Sequence, residues 1–80
     1  MKFRMTILPG RRVSDTVCSD YLPGLPWEEC NGSNEYAVEA QRVGSAIWTT
    51  LVEFNGSDNH AAFFSVVLVA RCADVAVRAA

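Results

Sequence analysis

The chain opens on an alternation. In KFRMTIL, residues 2–8, Phe3, Met5 and Ile7 fall to one side, and Lys2, Arg4 and Thr6 to the other. That is the period of a half-buried β-strand, and Pro9-Gly10 ends it. Two further apolar runs, AIWTTLVEF at 46–54 and AAFFSVVLV at 61–69, flank the turn-rich stretch NGSDNH. Paired across it, they set Trp48 against Val67, Val52 against Phe63 and Thr50 against Ser65, a set of partners that cross-strand packing favours. The other face carries Ile47 with Leu68 and Leu51 with Phe64, so the paired strands are apolar on both sides. A sheet of that kind needs a cover on each face, and a second subunit supplies the cover that the chain itself lacks.

Residues 34–54 admit three patterns. A hairpin turning at Gly44-Ser45 sets Gln41 opposite Trp48 and Glu39 opposite Thr50, polar against apolar, and the register rule argues against it. One long helix would hold Gly44 in its interior and would have to absorb the β-branched and aromatic IWTTLVEF run. The remaining pattern is a short helix from Asn34 to Val43, capped by Ser33 or Asn34 and stopped at Gly44, followed by the strand at 46–54. At the end of the chain, ARCADVAVRAA places Arg71, Asp74 and Arg78 at helical spacing, which favours a terminal helix. The alternation of Asp74, Ala76 and Arg78 with Ala73, Val75 and Val77 leaves a prolonged strand open, and a helical hairpin of 34–54 with 58–79 is the main rival fold. The expected architecture is α+β: a small single domain with a three-stranded antiparallel sheet, one or two short helices and a long ordered loop.

That loop spans about residues 11–33, with a short helical turn expected at 13–19. Loops so long are uncommon in compact domains and are often functional. Its centre, DYLPGLPWEEC, sets Tyr21, Leu22, Leu25 and Trp27 among Pro23, Gly24 and Pro26. Two roles are open. The aromatic and leucine side chains can fold onto the strand face of Phe3, Met5 and Ile7, or they can be presented to a partner on a backbone that the prolines restrict. Tyr and Trp are enriched at binding hot spots, so Tyr21, Leu22, Leu25, Trp27, Glu28 and Glu29 form the candidate contact set.

Composition bounds the rest. Half of the 80 residues are apolar, enough to offset ordering entropy and exclude a disordered chain. A core of this size supplies only about 3–5 kcal/mol, so self-association is an expected route to further burial. The longest apolar run, AAFFSVVLVA, stops at Arg71 after ten residues, half of what a membrane span requires. MKFRMTIL lacks a secretory apolar region, and the expectation is a cytoplasmic protein with no membrane partner.

Charge is segregated. Lys2, Arg4, Arg11 and Arg12 precede any acid, and Asp15, Asp20, Glu28, Glu29, Glu35 and Glu39 follow without a base between them. The basic group can steer an acidic partner, or it can be neutralised by the acidic loop beside it. In a chain of net charge −2 it makes a poor phosphate track, so nucleic acid is an unlikely partner.

Catalytic and metal chemistry find little support. His60, in SDNH, shares one turn with Ser57 and Asp58, where three groups seldom converge as a triad requires. Cys18, Cys30 and Cys72 are an odd number without a close-spaced pair, which disfavours both a zinc site and a disulfide scaffold, although Cys18–Cys30 could bridge on export. The NGS triplets at Asn31 and Asn55 match a glycosylation sequon but read here as turn residues. No metal, no cofactor and no catalytic set is expected. The leading expectation is a non-catalytic protein-interaction module, an adaptor or inhibitor that binds another protein stoichiometrically and forms a homodimer. A small-ligand binder with Trp48, Trp27 and Phe64 lining a pocket is the second class, and a weak nucleic-acid binder is the third.

Overall fold

The computed structural model describes residues 1–8, 17–58 and 61–78, and within 61–65 it describes the backbone alone. The helical turn expected at 13–19 therefore lies largely outside the described residues, as do Arg11, Arg12, Asp15 and His60. Three antiparallel strands, β1 (Lys2–Ile7), β2 (Glu35–Gln41) and β3 (Trp48–Asn55), form a sheet in the order β1-β2-β3, and one helix, α1 (Ala61–Arg78), follows. The α+β class and the three-stranded antiparallel sheet are as expected, but two of the elements are exchanged.

The first exchange is at 34–43, where the expected helix is instead the central strand. Glu35 and Glu39 have helical spacing, yet Tyr36, Val38 and Ala40 also alternate with Glu35, Ala37, Glu39 and Gln41. Tertiary pairing decides between the two periods. As a strand, the segment sets Ala40, Val38 and Tyr36 directly against Phe3, Met5 and Ile7, so every apolar residue of β1 gains an apolar partner.

This also restores the hairpin that the register rule had disfavoured. Gln41 does pair with Trp48, and Glu39 with Thr50. What makes this tolerable is a β-bulge. The register slips by one between Val38 and Glu39, leaving Leu51 as the extra residue of β3, and beyond the slip Val38 faces Val52 and Tyr36 faces Phe54. A single inserted residue reverses the facing of every residue after it. Without it, Glu53 would stand opposite Tyr36. The connection turns at Arg42–Ser45, where the Ser45 N–H donates to the Arg42 carbonyl at 3.1 Å. Gly44 takes φ +82° at the third position, as a type II turn demands.

The second exchange is at 61–69, which is helix rather than strand, so its expected pairing with 46–54 does not occur. Val66, Val67 and Val69 favour a strand locally. However, Leu68, Cys72 and Val75 recur at i, i+4 and i+7 and turn inward together, with Leu68 fully buried. The expected terminal helix is the second half of the same element. The sheet is consequently apolar on one face only, and the argument that both faces require a cover no longer applies.

The core lies between that face and its two covers. One is α1. The other is the loop, whose two 3-10 turns, Leu22–Gly24 and Trp27–Glu29, fold Leu22, Leu25 and Trp27 onto Phe3, Met5, Tyr36, Val38 and Phe54. The Trp27 Nε1–H donates to the Leu22 carbonyl at 3.2 Å, closing the loop on itself. Tyr36 stacks on Phe54 with ring centroids 5.6 Å apart. The loop is pinned at its start by Ser19, which exchanges two backbone hydrogen bonds with Phe3.

The two NGS triplets adopt the same turn. Each asparagine side-chain oxygen accepts from the N–H and hydroxyl of the serine two residues on, Ser33 for Asn31 and Ser57 for Asn55. The turns also pack together, with the Gly56 backbone so close to the Asn31 carbonyl that no side chain fits between them.

Candidate interaction surface

The expected contact set divides along the loop. Leu22, Leu25 and Trp27 are 8%, 4% and 7% exposed, so all three pack into the core. Tyr21, Glu28 and Glu29 remain outside, Tyr21 at 73% exposure. The division follows from the turns. Pro23 sits in the first helical positions of Leu22–Gly24, where its missing N–H is not needed, and the turn points Leu22 inward while Tyr21 precedes it in extended conformation. Glu28 and Glu29 occupy the first turn after Pro26, as expected for solvated acids.

Tyr21 borders an apolar groove. It is joined there by Phe3, Leu22 and Pro23 from the sheet and loop and by Val69 and Cys72 from α1, around a cavity of about 330 Å³ with Asp20 at its rim. Val69 carries the groove onto the outward face of α1. Along that face Val66, Val69, Ala70, Ala73 and Val77 are all exposed, while Arg71, Asp74 and Arg78 lie together on the opposite flank. A helix that is apolar over most of its circumference normally has a cover on each side. Reading 61–69 as a strand hid this face. The helical spacing of Arg71, Asp74 and Arg78, carried back to Ala61, is the signal that would have revealed it.

Of the candidate charge contacts at the start of the chain, Lys2 and Arg4 are among the described residues. Lys2 is exposed, but Arg4 reaches across to the β2 carboxylate, its Nε donating to Glu39 Oε1 at 3.1 Å, and its guanidinium lies 4.1 Å from the centroid of the Trp48 ring. Thr6 also donates to Glu39 Oε1, at 3.3 Å. Arg4 is thus neutralised from the neighbouring strand rather than by the acidic loop. An ion pair of this exposure contributes about 1 kcal/mol or less, and the ring adds about as much. Trp48 lies with Arg4 on the outer face of the sheet and Trp27 packs on the inner face, so the two indoles do not line one pocket. The Phe64 side chain is outside the described residues.

Cys18, Cys30 and Cys72 are free thiols. Burial pushes the Cys30 thiol up from its ordinary value, and the nearby Glu29 charge adds to this. Burial also raises Cys72, opposed in part by the N-terminal ammonium. Both shifts hold the proton on sulfur, the reverse of what a nucleophilic or metal-ligating cysteine requires. Among the described residues, no three His, Cys, Asp or Glu side chains are grouped to hold a metal ion, and no helix is long and apolar enough to cross a membrane.

Comparison with protein-family models, curated proteins and solved structures finds no match to this chain.

Proposed function

We propose that the protein is a non-catalytic interaction module that works by stoichiometric contact, as an adaptor or inhibitor does, and that it self-associates through the outward face of α1. The observation that supports this reading is the exposed Val66, Ala70, Ala73 and Val77 stripe, continuous through Val69 with the Tyr21 groove. The occupant of that face is a second copy of the chain. An isologous contact requires a self-complementary surface. The stripe has one, since its spacing reads the same in both directions about the midpoint between Arg71 and Cys72. Two antiparallel copies bring Val66 level with Val77 and Ala70 level with Ala73, with no charge between them. The exposed Glu28 and Glu29, on the loop covering the other part of the core, remain available to a further protein partner in that arrangement.

Magnitudes set the expected strength. From Val66 to Val77 the stripe is about 18 Å long on a helix about 10–12 Å across, so it covers roughly 200 Å² per copy. Stable interfaces bury about 800 Å² per partner. The stripe falls short of that even with the groove added, and the dimer is accordingly a concentration-dependent one. Sedimentation velocity across two decades of protein concentration tests this. The expected result is a monomer–dimer shift that Ala73→Glu abolishes with an unchanged far-UV spectrum. A monomer at every concentration, or a dimer unaffected by Ala73→Glu, would refute it.

A further inference from the structure

We propose that the cavity between the β2–β3 connection and the C-terminal half of α1 is an anion site for a small phosphate monoester carrying an apolar body. Its volume is about 400 Å³, within the usual range for small-molecule sites. Arg42 lines it from the turn and Arg71 and Arg78 from the helix, with Ser45 and Thr49 also along it and Ile47 and Val75 forming an apolar wall.

Charge supports the assignment. Of the five described basic side chains, three border this one cavity in a chain of net charge −2. Asp74 is the only acid among the described residues that line it. Asp74 is held by Arg78, Nε to Oδ2 at 3.3 Å, whereas Arg71 has no ion pair among the described residues. A phosphate monoester is anionic at neutral pH, and a guanidinium without an ion pair, as on Arg71, binds its oxygens in paired hydrogen bonds. Ile47, 73% exposed without a protein cover, and the half-buried Val75 then contact the ester's apolar body. A free phosphate ion would leave that wall wet. The site lies on the charged flank of α1, apart from the stripe assigned to self-association, so each reading can fail without the other.

Isothermal calorimetry with phenyl phosphate, beside inorganic phosphate and vesicles containing phosphatidic acid, tests the proposal. Phenyl phosphate is expected to bind saturably at one site per chain and more tightly than inorganic phosphate. Arg71→Gln should weaken it about tenfold or more, the value of a lost charge-assisted hydrogen bond. Asp74→Asn should tighten it, a change that general loss of structure cannot imitate. Absence of saturable binding, equal affinity for inorganic phosphate, binding to the vesicles alone, or an unchanged affinity in Arg71→Gln would each overturn the assignment.

Discussion

Replacing Trp27 by alanine separates the scaffold of the loop from its surface. Trp27 is 7% exposed, packs its ring 6.1 Å from that of Phe54, and donates its indole N–H to the Leu22 carbonyl. Truncating a buried tryptophan costs about 3–5 kcal/mol, and the Leu22 carbonyl keeps the Leu25 N–H, at 3.1 Å, as its other donor. A chain of this length has a total stability of about 4–12 kcal/mol. Trp27→Ala is therefore expected to remove a quarter or more of it, a fall in Tm of about 15–30 °C if the fold survives. Trp27→Phe keeps a ring against Phe54 and loses the hydrogen bond, for about 1–2 kcal/mol. Tyr21→Ala, only six residues away but largely exposed, should change stability by no more than about 0.5 kcal/mol. Urea denaturation followed by far-UV circular dichroism measures all three without relying on the altered fluorophore. Equal losses in Tyr21→Ala and Trp27→Ala, or a loss below about 1 kcal/mol in Trp27→Ala, would refute the assignment of these side chains to surface and core.

Two further predictions follow from the backbone and the thiols. At Gly56 an added Cβ meets the Asn31 backbone and the Tyr36 ring, so Gly56→Ala must displace the paired NGS turns and should cost about 2 kcal/mol or more, whereas Gly44→Ala meets nothing and should cost only about 1 kcal/mol of left-handed backbone strain; urea midpoints that reverse this order would contradict the packing. Because burial raises the Cys30 and Cys72 thiols above the ordinary value of 9.0, the folded chain holds protons that the unfolded chain releases, so stability is complete below that pH and declines as pH rises through the folded values. Denaturation midpoints should fall above pH 9 less steeply in Cys30→Ala, and iodoacetamide followed by peptide mass spectrometry should label the exposed Cys18 first.

The surface that these experiments bracket is unusual for its size. A short chain has little interior, and here the loop and one side of α1 already fill the inner face of the sheet. The outer face is polar and internally paired around Arg4, Glu39 and Trp48. The outward side of α1 and the Tyr21 groove are apolar and uncovered, while Arg71 and Arg78 lie on the opposite flank of the same helix. Scaffold, proposed protein contact and proposed anion site thus occupy three sides of one element.

Several features were already legible in the chain. The alternation of Phe3, Met5 and Ile7 determines β1, because a period of two admits one buried face. The prolines and glycines around residues 20–30 determine that this segment is not a regular element, while the sequence left its leucines and tryptophan open to either a core or a contact role. The α+β class follows from these together with the helical spacing at the end of the chain. What only the tertiary structure decided lies where two periods coexist in one segment. EYAVEAQ reads as helix by its glutamates and as strand by its apolar residues, and β1's need for a partner resolves it. AAFFSVVLV reads as strand by its valines, but the inward stripe of Leu68, Cys72 and Val75 continues beyond it, and burying that stripe outweighs local propensity. The hairpin register was hidden for a third reason. A bulge changes the facing of residues without changing their order, so a pairing that sets polar against apolar in uniform register becomes sound once Leu51 is left unpaired. Local sequence determines period; which of two compatible periods is realised depends on the surface each would bury, and that surface exists only in the assembled fold.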